Sequence, residues 1–131
     1  MSIPVALRDL DAARRERGPT AYVLTVNESG GPHVVNAEVL DVDGGVMARV
    51  GERTAGNARS RSLVSLLYPI RHSDDYSLIV DAVATVVTTP DGIWLRLAPT
   101  RAVLHRPALA PDPTASPCGS DCIPLAFHPS R

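Results

Sequence analysis

GERTAGNARSRSLVSLLYP, residues 51–69, passes from polar, arginine-bearing sequence straight into an apolar run. The apolar half, "LVSLLY" at residues 63–68, reads as a β-strand. In the polar half, Thr54 is a suitable N-cap and "AGNARSRS" gives one or two helical turns. A short basic helix set between two strands is the expectation, and the rest of the chain is read around it.

Upstream, "TAYVLTVN" alternates, with Tyr22, Leu24 and Val26 on one face, and "ESGGP" turns the chain. "HVVNAEVLDV" is a second strand, Asp43–Gly45 is a hairpin signal, and "VMARV" is a third strand. Downstream come "YSLIVDAVATVVTT" and "IWLRLAPTRAVLH", divided by Pro90–Gly92. "LIVDAVATVV" is aliphatic on both faces, so it is expected to be covered on both, by a barrel interior and by something such as a partner subunit. Before the strands, Ile3, Leu7 and Leu10 fall at i, i+4 and i+7, predicting a short amphipathic helix that ends near Gly18. The sum is a mainly β chain: six mostly antiparallel strands in a small barrel, with one helix before them and one among them.

Composition narrows the function classes. The 131 residues suit one domain, 44% hydrophobic and 21% charged, and a net charge of −1 gives no pull toward nucleic acid or membrane. No apolar run approaches the roughly 18 residues of a membrane span, and no signal peptide is evident, so a cytoplasmic protein is expected. All 13 basic residues are arginine. Lysine chemistry is thereby excluded, and any anion held by a side-chain cation is held by a planar guanidinium fork. Arg53 and Arg59, near free amides at a helix N-terminus, suit a phosphate, with Arg49 and Arg61 raising the potential and Glu52 opposing it. A solvated charged face accounts for the same pattern, and periodicity alone leaves both readings open.

Several pieces taken in order carry a resemblance: the first strand running into "GGPHVV", R-T-x-x-N at Arg53–Asn57, and "VSLLYP" at Val64–Pro69. Over about residues 18–105 the chain resembles the pyridoxamine 5′-phosphate oxidase-like, flavin-binding split-barrel family. The resemblance implies a six-stranded antiparallel split barrel, a homodimer, and a flavin mononucleotide (FMN) or the deazaflavin factor 420 in clefts where two barrels meet. It places Arg53, Thr54, Asn57 and Arg59 at the cofactor's phosphate and ribityl chain. It places Asn36 at the ring pocket, with Glu38 on the same face. The chain departs from many members in lacking a lysine in the phosphate segment, where Arg53 is the substitute.

By that resemblance the function is hydride transfer between the flavin and a small organic substrate, the cofactor supplying the chemistry. The alternative is a non-catalytic split barrel that binds flavin or haem. No G-x-S-x-G and no histidine–cysteine couple stands out. His33 is a candidate proton donor, though a lone histidine opening a strand is ordinarily a surface residue. Tyr68 and Trp94 are candidates for the ring's border, though aromatic residues in strands are ordinarily core. Residues 1–106 are read as the barrel domain with its N-terminal helix, and residues 107–131 as a proline-rich tail. In that tail Cys118 and Cys122 stand as ordinary thiols, a disulfide or, with His105 or His128, metal ligands, although the C-x3-C spacing is not that of a zinc ribbon.

Overall fold

The computed structural model describes residues 1–70 and 75–107. Seven strands and two helices follow in chain order: β1 (Ser2–Pro4), α1 (Leu10–Arg15), β2 (Thr20–Val26), β3 (Pro32–Val42), β4 (Gly45–Val50), α2 (Glu52–Ser60), β5 (Leu63–Tyr68), β6 (Ser77–Thr89) and β7 (Gly92–His105). A 3-10 turn at Leu7–Asp9 leads into α1. The strands are hydrogen-bonded in the order β1-β7-β4-β3-β2-β5-β6, and β6 pairs back onto β7. Six antiparallel strands therefore form a closed barrel, with β1 added beside β7. Closure leaves those six without a free edge for another chain to extend.

Each of the six barrel strands alternates between an inner and an outer face. The barrel interior holds Val23, Val39, Val46, Leu66, Leu78, Val80, Leu95 and Leu97. The β3–β4 turn is the expected Asp43-Gly44 hairpin, and Gly44 adopts φ +81°. Next to it, Gly45 lies against β7 so closely that a Cβ there would fall 2.0 Å from the Leu97 carbonyl oxygen. A register shift between Asp81 and Ala82 interrupts the long β6–β7 ladder. Such bulges bend and twist a strand, which helps a sheet to close on itself.

Two details depart from the sequence expectations, and a third, the inward face of β2, is one the sequence leaves open. The N-terminal helix is shorter, because Ile3 lies in β1 opposite Leu104 rather than in a helix. Helix α1 sends Leu10 into the core with Ala13 packed against it, while Leu7 before it is exposed. On β2 the inward residues are Ala21, Val23 and Thr25, so the Tyr22, Leu24, Val26 face is the outer one. With apolar residues on both faces, alternation alone cannot say which one turns inward.

Helix α2 begins at Glu52 with Gly51 as its N-cap, three residues before the expected cap at Thr54. Glycine is about as good a cap as threonine, and Glu52 suits the positive end of the helix. Thr54 is instead 2% exposed within the first turn. The helix packs on β2, β6 and β7 through Thr54, Ala55, Asn57 and Ala58.

Candidate functional site

The outward flank of α2 and the β2–β3 loop enclose an open cleft of about 770 Å³. The loop is fixed by one side chain. Asn27 Oδ1 accepts hydrogen bonds from the Ser29 and Gly31 amides, at 3.0 and 2.8 Å, and from the Ser29 hydroxyl at 2.8 Å. Glu28 and Ser29 thereby stand at one wall of the cleft, and α2 supplies the other from Glu52 to Ser60. The cleft thus runs along the flank of the helix rather than over its first turn alone.

Arg53, Asn57 and Arg59 all line this cleft. Both arginines are exposed, and neither is ion-paired among the described residues, so their forks stay free for an anion. No side chain caps α2, which leaves its first amide N–H groups free of a side-chain partner. Thr54 is not on the cleft surface. Its hydroxyl lies 3.2 Å from Nε2 of His33, and His33 itself lines the cleft. Asn57 also supports the fold, since its Nδ2 donates to the buried Thr25 Oγ1 at 3.1 Å and ties α2 to β2.

The other residues singled out lie elsewhere. Asn36 and Glu38 are exposed on the outer face of β3, opposite in sense to His33, and Asn36 pairs with Tyr22. Arg49 does not reinforce the cleft. It pairs with Asp91 at 3.3 Å and stacks over Trp94, 5.3 Å from the ring centroid. The hydrogen bond from Thr89, with Arg49 adding its charge, holds the Asp91 carboxyl below the usual range. Arg61 reaches the backbone carbonyl of Glu28 at 3.4 Å. Tyr68 and Trp94 are both buried, so neither borders the cleft. Cys118, Cys122 and His128 fall outside the described residues. Among the described residues no group of three or more His, Cys, Asp or Glu side chains could hold a metal, and no helix is long and apolar enough to cross a membrane.

Sequence reasoning missed Glu28, which lines the cleft as a second carboxylate beside Glu52. The "NESGG" turn marks the loop, but nothing local says that it folds over a helix 25 residues later. It also missed a charged cluster at α1. Arg14, 4% exposed, donates to Asp41 and, at 2.6 Å, to Asp11, while Arg15 donates to Asp41 at 3.0 Å. Burial opposes the Arg14 charge, yet its hydrogen bonds to Asp41 and Asp11 more than offset this and raise its pKa.

The described fold has many solved counterparts. It superposes on the haem storage protein HutZ of Vibrio cholerae with a TM-score of 0.59, at 20% identity, covering 74% of this chain and 92% of that one. An FAD-binding protein of Mycobacterium smegmatis gives 0.59 at 17% identity, covering 81% and 100%. A candidate pyridoxamine 5′-phosphate oxidase of Listeria innocua gives 0.63 at 13% identity, covering 76% and 98%. No protein-family model matches the sequence. Two uncharacterized proteins, from Mycobacterium bovis and Mycobacterium tuberculosis, are each 38% identical over 119 residues, covering 80% of this chain and 84% of the relative. The chain therefore belongs to one family with these mycobacterial proteins, built on the split barrel of the pyridoxamine 5′-phosphate oxidase-like proteins.

Proposed function

We infer that the α2 cleft holds the phosphate and ribityl end of FMN, and that the protein is a cytoplasmic flavin-dependent oxidoreductase acting on a small organic substrate. One observation carries this reading: two unpaired guanidinium groups, Arg53 and Arg59, share a 770 Å³ cleft with a helix whose N-terminus no side chain caps. That volume lies within the range of pockets for cofactor-sized ligands, and the donor set suits a phosphomonoester. The deazaflavin factor 420 has a phosphodiester that needs the same donors. Flavin, when bound, supplies the hydride chemistry, and the chain's own residues bind and orient it.

The ring pocket requires a second subunit. Asn36 lies on the outer face of β3 among exposed apolar residues, so a partner barrel covering that face brings it against a ring that a single chain cannot enclose. The homodimer is therefore part of the proposal. His33, on the cleft wall, is the candidate proton donor.

The likeness to the haem storage protein supports a second reading, in which the barrel carries flavin or haem without turnover. Titration with FMN, the deazaflavin and haem, followed by turnover assays with reduced flavin, separates the two. For the site itself, Arg53→Ala is expected to weaken FMN binding by about 1–3 kcal/mol through loss of a charge-assisted bond. Equal affinity of wild type and variant in direct calorimetric titration would place the phosphate elsewhere.

A further inference from the structure

The charges on the cleft walls nearly cancel. Arg53 and Arg59 contribute two positive charges, and Glu28 and Glu52 contribute two negative ones. The fifth ionisable side chain on those walls is His33. Because those fixed charges sum to zero, a proton on that imidazole adds a unit of net positive charge to the attraction exerted by the arginine forks and the helix amides. We propose that His33 is the pH-responsive wall of the anion site, so that affinity for anions rises as its ring is protonated. The proposal rests on the anion-cleft reading above.

The surroundings of His33 permit this role. It shares the cleft walls with Glu52, Arg53 and Arg59 of α2 and with Glu28 of the β2–β3 loop. Opposite it on β2 stands the neutral Thr25. Arg61 lies just beyond, directed at the Glu28 backbone carbonyl rather than its carboxylate, so the Glu28 charge is not consumed there. The Thr54 hydroxyl, 3.2 Å from Nε2, donates to an unprotonated ring nitrogen or accepts from a protonated one. That contact therefore holds the ring in place in either state, and the ring's position need not change when its charge does.

Magnitude decides whether the effect is measurable. One unit charge about 6 Å from an anion, in a cleft still open to water, changes affinity by roughly three- to tenfold at low ionic strength. Of the side-chain types on these walls, imidazole alone ordinarily changes charge between pH 5.5 and 8.

Sulfate is the appropriate probe, because it remains a dianion throughout that window whereas a phosphate monoester does not. Calorimetric titration of the full chain with sulfate is expected to show about three- to tenfold tighter binding at pH 5.5 than at pH 8. His33→Gln, which keeps a hydrogen-bonding group for Thr54 but cannot titrate, is expected to bind with the weaker affinity at both pH values. Glu28→Gln is expected to bind more tightly than wild type at pH 8, since it removes an opposing charge. A pH dependence that survives in His33→Gln, or equal wild-type affinity at the two pH values, would overturn the role of His33 while leaving the anion cleft standing. Absence of sulfate binding at both pH values, with Arg53→Ala indistinguishable from wild type, would overturn the cleft and the role of His33 together.

Discussion

Arg14 shows how a single residue can matter to the fold without announcing itself. A buried guanidinium costs several kcal/mol to desolvate unless it is paired and hydrogen-bonded. Here Asp41 on β3 meets it 27 residues away, alongside Asp11 on its own helix. The hydrogen bond from Arg14, assisted by Arg15, outweighs burial and holds the Asp41 carboxyl below its usual range. A carboxyl whose folded pKa is depressed stabilises the fold above its unfolded pKa, near 4. That stabilisation is lost as pH falls through the lower folded value. Thermal melts between pH 7 and pH 3 are therefore expected to show falling stability on the acid side. Asp41→Asn should lose about 2 kcal/mol at pH 7, because Asp11 still partners Arg14, and should melt with less acid dependence than wild type. Acid sensitivity identical to wild type in that variant would assign the effect to other carboxylates. None of this is legible in the sequence alone: "LRDLDAARRERG" reads as a solvated helix until Asp41 is known to lie across from it.

At the scale of elements, the presence of α2 was legible and its boundary was not. Arginines, alanines and a threonine between two apolar strands suffice to predict a helix. Choosing its cap from residue preference alone put the start at Thr54, whereas the chain begins at Gly51 and gives the Thr54 hydroxyl to His33. Arg53, Asn57 and Arg59 all line the cleft even though the cap lies three residues earlier. Gly56 also lines the cleft, and a Cβ built there meets no atom within 4 Å. Alanine disfavours the unfolded chain relative to glycine and suits a helix interior better. Gly56→Ala is therefore expected to stabilise the protein by about 0.5–1 kcal/mol, a rise of roughly 2–5 °C in Tm. Its methyl group also narrows the cleft, so the same variant should bind FMN less tightly. A variant that is more stable and binds FMN unchanged would indicate a ligand path that avoids this turn of the helix.

For the whole molecule, period-2 patterning and two tight turns made the barrel legible, but not which face of each strand turns inward. β6 illustrates the difficulty: Leu78, Val80, Ala82 and Ala84 enter the core, while Ile79 and Val83 remain outside on the same aliphatic strand. The outer surface of β2, β3, β5 and β6 carries Tyr22, Val34, Leu63 and Val83, from 37% to 73% exposed. The register places Val34 beside Leu24, and Leu63 beside Val83. A groove of about 450 Å³ is lined by Leu24 and Leu63 and also by Ser65 and Asp81, which are hydrogen-bonded to each other. Such a face, with apolar patches around a polar centre, is more than an isolated monomer commonly leaves in water. The proposed homodimer is expected to cover this face, and the flavin reading then requires Asn36 to meet the ring where the two copies join. Light scattering is expected to give twice the 13.9 kDa of one chain. Val34→Glu combined with Leu63→Glu places charges on exposed positions of that face, so the barrel should still fold by circular dichroism. It should nevertheless run as a monomer and lose FMN affinity, while sulfate binding at Arg53 and Arg59 persists. If this double variant remains a dimer and still binds FMN, the subunits meet through another surface, and the ring pocket must be sought there.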